Sequence, residues 1–336
     1  MAHRDLIVMG ASSGGVEALT KVIGGLPPDL PAAVFVVLHV LPERRSMLPA
    51  ILNRAGTLPA AHAVDGERIR LGRIYVAAPG LQTYICSGTI AVRRGPAENL
   101  HRPAIDPVFR TAAHHYGPRV VGVVLSGALD DGTAGLQAIK SAGGLAIVQD
   151  PDDARVAGMP GNALERVPID YCVAVAEIGP LLRRLIDQPA AAPDGFVREV
   201  PLETVDESAR EEAQDRLRDL GQASGLTCHD CSGAIRQIHD GQTVRYRCRV
   251  GHAYSPETMI KAHGDAVERA LWTAVRSLEE RAALVRRLAV DARDCGLERM
   301  AAQFETRASD IDRDATLVHD LLAIARALEP ATAAEV

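Results

Sequence analysis

The stretch LIVMGASSGGVEAL, at residues 6–19, decides the fold of this chain. An apolar run, Leu6–Met9, leads through a glycine-rich turn, Gly10–Gly15, into a stretch with helical spacing, Val16–Gly24. A continuous apolar run followed by a helix is typical of a strand that is buried on both faces of a parallel sheet. The stretch therefore predicts the first strand, turn and helix of an α/β domain.

The same alternation of short apolar runs and helical stretches continues to about residue 186. The further runs are Ala33–His39, Ile74–Ala77, Val120–Leu125, Leu145–Val148 and Tyr171–Val175, and a second helical stretch is Thr133–Ala142. One interruption, Thr83–Arg93 around Gly88, has the pattern of a β-hairpin. We predict an α/β fold with a doubly wound, mostly parallel sheet and a small antiparallel hairpin.

Length and composition restrict the class of protein. A chain of 336 residues is longer than a single domain usually is, so two or more domains are expected. A net charge of -6 gives no support to nucleic-acid binding, which usually requires a basic surface. No signal peptide and no apolar run long enough to span a bilayer are visible, so we expect a cytoplasmic protein without membrane insertion. In that compartment, clustered cysteines indicate metal binding or chemistry more than disulfides.

The pattern changes after residue 186, which suggests four parts. We predict an α/β domain at 1–186 and a linker at 187–225 that includes a charged helical piece, Glu207–Leu220. A zinc-ribbon-like Cys/His module is expected at 226–255, and an α-helical tail at 256–330.

The glycine-rich turn suits two kinds of chemistry. Its backbone amides and the following helix N-terminus can hold a phosphate, or they can stabilise an oxyanion beside an exposed serine. A dinucleotide site would require GxGxxG and an acidic residue about 20 positions later, and neither is present. The second strand ends instead in His39.

Three residues at strand ends could form a nucleophilic site, because ligands of open α/β sheets bind at the carboxyl ends of the strands. Ser12 follows the first strand, His39 closes the second, and Asp130 and Asp131 follow Val120–Leu125. Serine needs an imidazole to accept its proton, and a carboxylate to fix the tautomer of that imidazole. Ser12 and either aspartate could equally be helix caps, and a histidine at a strand end is often structural. Spacing does not choose between the aspartates.

The segments IVMGASSGGVEAL, VVLHV, IYVAAPG, HRPAIDPVF and GVVLSGALDDGTAGL together resemble the catalytic domain of the chemotaxis receptor methylesterase family, over residues 4 to 186. The resemblance implies hydrolysis of γ-glutamyl methyl esters on the cytoplasmic domain of methyl-accepting chemoreceptors, with release of methanol and no cofactor for the reaction. It also implies deamidation of receptor glutamines. The main domain would then be a methylesterase catalytic domain with a Rossmann-like sheet.

The resemblance also implies roles for particular residues. Matched by motif, Ser12 is the nucleophile, His39 the general base and Asp131 the carboxylate that orients it. The oxyanion site is expected at backbone amides near Ser13, Gly127 and Ala128. Residues near the substrate are expected to be His101, Arg102 and Asp106.

The chain departs from the family in three respects. GALDDG stands where the family often has a GMGNDG-like loop, so Asp130 adds a carboxylate beside Asp131 and could raise the pKa of one of them. The first strand begins too early for an N-terminal receiver domain, which we therefore expect to be absent. The region beyond residue 186 is an addition, and the control of activity stays open.

Cys228-x-x-Cys231 and Cys248-x-x-x-His252 form two close ligand pairs. Zinc prefers four such ligands in a tetrahedron, so we predict a closed structural site, although four ordinary buried residues or a redox dithiol would share the spacing. The residues between the pairs predict a hairpin around Asp240-Gly241. His229 and His239 lie nearby, which makes His252 the weakest of the four assignments.

The tail predicts two or three amphipathic helices, the first of them beginning at Ser255-Pro256-Glu257 with serine as its cap. Their apolar faces could pack on one another, on a receptor coiled coil or on a second copy, and a signalling kinase or receiver protein is another candidate partner. Two rival functions remain beside the esterase. One is a catalytically silent module that binds a receptor or kinase through the zinc-helix tail, and the other is a general hydrolase of small esters.

Overall fold

The computed structural model describes residues 3–41, 46–190, 221–240 and 243–328, without the side chains of 240 and 325–328. The helical piece expected at Glu207–Leu220 and most of the expected linker lie outside these ranges. The chain divides into two compact units, one running to Met259 and one beginning at Ile260. The Cys/His region thus belongs to the same unit as the α/β domain.

The first unit is built on a seven-stranded parallel sheet in the order β3-β4-β2-β1-β7-β8-β9. Its strands are β1 (Leu6–Ala11), β2 (Ala33–Leu38), β3 (Ala60–His62), β4 (Arg73–Val76), β7 (Val120–Val124), β8 (Leu145–Gln149) and β9 (Tyr171–Val173). The hairpin predicted around Gly88 is confirmed as the antiparallel pair β5 (Gln82–Ile85) and β6 (Ile90–Arg93). The predicted fold class is confirmed, and within the parallel sheet β3 is the strand that was not predicted.

Helices cover both faces of this sheet. They are α1 (Gly15–Gly24), α2 (Leu48–Ala55), α3 (Ile105–Tyr116), α4 (Thr133–Ser141), α5 (Gly158–Arg166) and α6 (Val175–Ile186). Side chains alternate along β1, so that Ile7 and Met9 pack with α1 and α6 while Leu6 and Val8 pack with α3 and α4. The two cores explain why every residue of β1 is buried.

The strand order reverses at β1, which pairs with β2 on one side and with β7 on the other. In open α/β sheets such a reversal leaves a crevice beyond the carboxyl ends of the strands. The turn after β1 and the loop after β7 both end at this crevice. The fold therefore brings together residues that are more than 110 positions apart.

A smaller antiparallel sheet forms the Cys/His module, in the order β10-β11-β12-β13. Its strands are β10 (Gly221–Thr227), β11 (Ala234–Asp240), β12 (Thr243–Cys248) and β13 (Ala253–Tyr254). Asp240 pairs with Thr243 across the turn, as the predicted hairpin requires. The module begins earlier than the expected boundary at 226, because β10 joins its sheet.

The chain ends in two long helices, α7 (Pro256–Asp294) and α8 (Glu298–Leu328). Ser255 Oγ accepts the N–H of Thr258 at 3.1 Å, so the serine caps α7 as predicted. In the second unit, α7 and α8 pack through Ala282, Val285, Ala308 and Ile311. None of the helices in the described ranges combines the length and apolar character that crossing a membrane requires.

Candidate active site and Cys/His cluster

Ser12 lies where β1 ends and α1 begins. Its N–H donates to Ser126 O at 2.9 Å, which ties the turn to the end of β7. Gly14 has φ +76, a left-handed conformation that favours glycine, and it allows α1 to start immediately afterwards. The N-terminus of α1 thus lies next to Ser12, where its dipole would stabilise developing negative charge.

Gly127 leaves the space that Ser12 occupies. A Cβ at this position would lie 2.8 Å from Ser12 Cβ and 2.1 Å from Met159 Sδ, both far too close. The sequence after β7 therefore needs glycine here if the serine and α5 are to approach each other.

His39 forms a buried hydrogen-bonded pair with Asp131. Its Nε2 lies 2.8 Å from Asp131 Oδ2, and the two side chains are only 4% and 2% exposed. Ser12 follows the Ala11–Leu38 pair of β1 and β2, so it stands next to His39 at the edge of the sheet. His39 Nδ1 is buried and has no partner among the described residues. No hydrogen bond joins it to Ser12 Oγ in those residues, and catalytic hydrogen bonds commonly tighten only when substrate binds.

The Asp131 carboxylate is held by five N–H donors. Oδ2 accepts from His39 Nε2 and from one backbone amide, and Oδ1 accepts three further bonds. The backbone amide at Oδ2 is the Ile105 N–H, at 2.8 Å. The three donors at Oδ1 are Asn99 Nδ2 at 2.9 Å, the Gly132 N–H at 2.9 Å and the Asp106 N–H at 3.2 Å. Burial alone would raise the pKa of Asp131, but the hydrogen bonds from His39, Ile105 and Asn99 lower it to about 2. Asp131 is therefore a fixed anion.

Asp130 points away from the imidazole. Its carboxylate accepts Ser255 Oγ at 2.6 Å and Arg166 Nη1 at 3.1 Å. Burial, supported by the charge of Glu257, raises the pKa of Asp130 to about 6, with Asp131 as a smaller cause. The structure thus separates two adjacent aspartates that spacing could not distinguish.

The amides of the expected oxyanion site are not equivalent. The Gly127 N–H donates to Val156 O at 3.0 Å, so it is already used, and the expectation that it stabilises an oxyanion does not fit. The N–H groups of Ser13 and Ala128 have no acceptor among the described residues. These two remain the amides that could serve a tetrahedral intermediate.

The three residues predicted near the substrate lie in different surroundings. His101 stacks on His39 with ring centroids 3.5 Å apart, and burial lowers its pKa to about 3, so it is neutral. Arg102 Nη1 donates to Gly95 O at 2.8 Å. Asp106 is only 2% exposed, and its Oδ1 accepts the Gly132 N–H at 3.1 Å and the Gly135 N–H of α4 at 2.6 Å. Asp106 thus lies close to the candidate site, but its carboxylate is occupied by backbone N–H groups, and its predicted place on the substrate side stays a prediction.

Asn99 is a residue that the sequence analysis missed. Its Nδ2 donates to both Asp131 and Asp106, at 2.9 Å each, and it is 2% exposed. The only sequence feature that could have pointed to Asn99 is its position two residues before His101. A polar residue in a loop does not by itself predict contacts with two buried carboxylates.

The Cys/His cluster brings its four predicted ligands together. The ligand atoms of Cys228, Cys231, Cys248 and His252 all lie within 4.8 Å of one another. The Sγ atoms of Cys231 and Cys248 are 3.6 Å apart, and His252 Nδ1 is 3.5 Å from Cys248 Sγ and 3.7 Å from Cys228 Sγ. A tetrahedral ion with bonds of about 2.0–2.3 Å would hold its ligands about 3.5–3.8 Å apart, so the donor set fits zinc.

An open α/β sheet with serine, imidazole and carboxylate at its carboxyl edge is the arrangement that hydrolases of the serine type use. The family model for CheB methylesterase matches residues 7–182, slightly more than half of the chain. The chain belongs to this family. The Cys/His module and the long helices lie outside the matched residues.

Similar proteins agree with this assignment. Protein-glutamate methylesterase/protein-glutamine glutaminase 2 of Anaeromyxobacter dehalogenans (strain 2CP-C) is 37% identical over 184 residues, which are 55% of this chain and 54% of that protein. A relative from Leptospira interrogans serovar Lai, named a putative protein-glutamate methylesterase/protein-glutamine glutaminase, is 35% identical over 182 residues, 54% of this chain and 94% of its own.

The chain thus spans about half the length of some curated relatives and nearly all of others. Among solved structures, the Thermotoga maritima CheB methylesterase catalytic domain superposes with a TM-score of 0.52 at 30% identity. The match covers 55% of this chain and 100% of that one.

Proposed function

We propose that this chain is a cytoplasmic protein-glutamate methylesterase, which hydrolyses γ-glutamyl methyl esters on the cytoplasmic domain of chemoreceptors and also deamidates receptor glutamines. The observation that carries the proposal is the buried hydrogen bond from His39 to Asp131, beside Ser12 at the N-terminus of α1. Membership of the CheB methylesterase family, and the printed names of its relatives, support the substrate class.

The reaction would be acyl transfer in two halves. With Nε2–H held by Asp131, His39 Nδ1 is the nitrogen with a lone pair for the proton of Ser12 Oγ. Oγ forms a bond to the ester carbon, and the His39 proton leaves with the methoxy group as methanol. Water then gives its proton to His39 and cleaves the acyl-enzyme to the glutamate side chain, with the proton returned to Ser12. A glutamine substrate would release ammonia by the same steps.

The test is methanol release from a methylated chemoreceptor fragment, with ammonia release measured from a glutamine-bearing fragment. Ser12→Ala should lower both rates by several orders of magnitude, because the acyl acceptor is lost. Ser87→Ala, at an exposed serine of the β5–β6 hairpin, is the matched control and should leave both rates unchanged. A folded wild-type protein that releases neither methanol nor ammonia would refute the proposal. That result would favour the catalytically silent module that binds a receptor or kinase.

The domain organisation is part of the proposal. The methylesterase domain occupies 1–186 and a linker follows it. The Cys/His module runs from Gly221, where β10 begins, to 255, and the helical tail occupies 256–330. The module shares a compact unit with the esterase domain, which favours a role close to the reaction. The helical tail is proposed to contact a signalling kinase or receiver protein.

We also propose that Cys228, Cys231, Cys248 and His252 hold a structural zinc ion. Four protein ligands leave no position for water, so the ion would cross-link the small sheet and take no part in hydrolysis. The purified protein should contain one zinc per chain by elemental analysis, and Cys231→Ser should lose it. Cys295→Ser, at an exposed isolated cysteine, should keep it. Equal metal content in the two variants would refute this assignment.

A further inference from the structure

A short segment, Ala97–His101, touches both buried members of the candidate triad. Asn99 Nδ2 donates to Asp131 Oδ1 at 2.9 Å, and the His101 ring stacks on His39. The position of this segment therefore affects the orientation of the carboxylate and of the imidazole together.

The Cys/His module holds the same segment from its other side. The Asn99 N–H donates to Ala253 O at 2.8 Å, and the Ala253 N–H donates to Ala97 O at 3.3 Å. Ala253 directly follows His252, one of the four candidate metal ligands. Arg245 of β12 also reaches Glu98, with Nη1 3.9 Å from Oε1. The segment is thus paired to the appended sheet as though it were a further strand.

The side chain of Asn99 connects the start of α7 directly to the carboxylates of Asp131 and Asp106. Its Oδ1 accepts the Ser255 N–H at 2.9 Å and Thr258 Oγ1 at 3.3 Å, and both donors belong to the start of α7. An amide has one acceptor oxygen and one donor nitrogen. Because Ser255 and Thr258 supply donors to the oxygen, the nitrogen must face Asp131 and Asp106. A reversed amide would present its oxygen to two carboxyl groups.

We propose, on the basis of the function proposed above, that Asn99 is a positioning residue through which the Cys/His module orients Asp131. The family chemistry would then depend in this chain on Ala253, Ser255 and Thr258, which lie outside the family match. Asn99 touches neither substrate nor the reacting atoms, and it acts through the carboxylate that it holds.

The test compares two variants of the full chain with one control. Asn99→Asp keeps the shape of the side chain but replaces the donor nitrogen with an oxygen, so repulsion from Asp131 should lower kcat at least 100-fold with KM within threefold. Thr258→Val removes one donor to Asn99 and should lower kcat about threefold to tenfold. Glu257→Gln breaks the ion pair between α7 and Arg166 without touching Asn99, and it should stay within twofold.

A second readout makes the result independent of the receptor. The rate at which a fluorophosphonate labels Ser12 reports activation of the serine whatever the natural substrate is, and folded fractions are equalised by circular dichroism. For Asn99→Asp, the labelling rate relative to wild type should rise as pH falls from 8 to 5, since a protonated carboxyl can again donate to Asp131. A merely structural defect would not produce this recovery.

The outcomes separate the two proposals. If wild type is labelled but releases no methanol, the proposed substrate is wrong, and the labelling rates still decide the role of Asn99. If Asn99→Asp labels within twofold of wild type at pH 8, or Glu257→Gln loses as much as Asn99→Asp, the positioning role is overturned. The same holds if wild-type Ser12 is not labelled at all.

Discussion

Replacing Asp131 with asparagine is the most direct test of its proposed role, which is to orient His39. The carboxylate accepts bonds from five N–H donors, two at Oδ2 and three at Oδ1. Asparagine offers a single acceptor oxygen, so at least two donors lose their acceptor and face an NH₂ group. Hydrogen bonds to a charged acceptor contribute about 1.5–3 kcal/mol each, so Asp131→Asn should cost roughly 3–6 kcal/mol in the free energy of unfolding.

The effect on activity follows from the tautomer of His39. If the new amide keeps its oxygen toward the three donors at Oδ1, its nitrogen faces His39 Nε2. The imidazole must then carry its proton on Nδ1, and the lone pair that should accept the Ser12 proton is lost. A triad with the wrong tautomer typically loses about 10⁴-fold in kcat. We expect a comparable fall for Asp131→Asn.

The assays are methanol release at substrate saturation and urea unfolding followed by circular dichroism. The pKa of Asp131 is lowered in the folded protein, so its stabilising contribution is present above the unfolded value of 3.8 and is lost as pH falls toward about 2. The stability difference between wild type and Asp131→Asn should therefore shrink over that interval. Asp130→Asn is the matched control, and it should keep at least a tenth of the activity. A folded Asp131→Asn variant with kcat within tenfold of wild type would refute the reasoning.

Two further predictions concern the loop after β7. Gly127→Ala should remove activity and destabilise the protein, because its Cβ would lie 2.1 Å from Met159 Sδ and 2.8 Å from Ser12 Cβ. Gly161→Ala has open space around its Cβ and should do neither. Equal activity and equal urea-unfolding curves for the two variants would contradict this prediction. Burial raises the pKa of Asp130 to about 6, above its unfolded value of 3.8. The contribution of its protonated form to stability is therefore fully present below pH 3.8 and is lost as pH rises through 6. Wild type should therefore lose about 3 kcal/mol in unfolding free energy relative to Asp130→Asn between pH 4 and 7, and a pH-independent difference would rule this out.

The sheet was predictable from the sequence where the strands are buried on both faces. Runs such as Leu6–Met9 and Val120–Leu125 are apolar without interruption, and each became a central strand. Ala60–His62 was missed because it contains no β-branched or aromatic residue, and it forms an edge strand only through pairing with β4. The run Tyr171–Val175 was drawn too long, because Val175 begins α6.

The site was predictable to the extent that motifs mark strand ends. Cys228 and its three partners were found from their spacing alone, since ligand pairs on turns have a local signature. Asn99 has no such signature, because its role arises from hydrogen bonds to residues 32 and 156 positions away. The burial of Asp106 was likewise invisible, since a carboxylate that accepts backbone N–H groups looks in sequence like any loop aspartate.

The hydrogen bond between Asn99 and Ser255 has a consequence for biosynthesis. The last strand of the large sheet ends at Val173, so the sheet can form well before Ser255 has been translated. At about 5–20 residues per second, the ribosome needs roughly 4–16 s to add the intervening segment. If the sheet folds during that interval, Ser12, His39 and Asp131 come to the same sheet edge before Ser255 and Thr258 can donate to the acceptor oxygen of Asn99. With the positioning role proposed for Asn99, the candidate site would be completed last, by residues that are translated after the sheet that carries it.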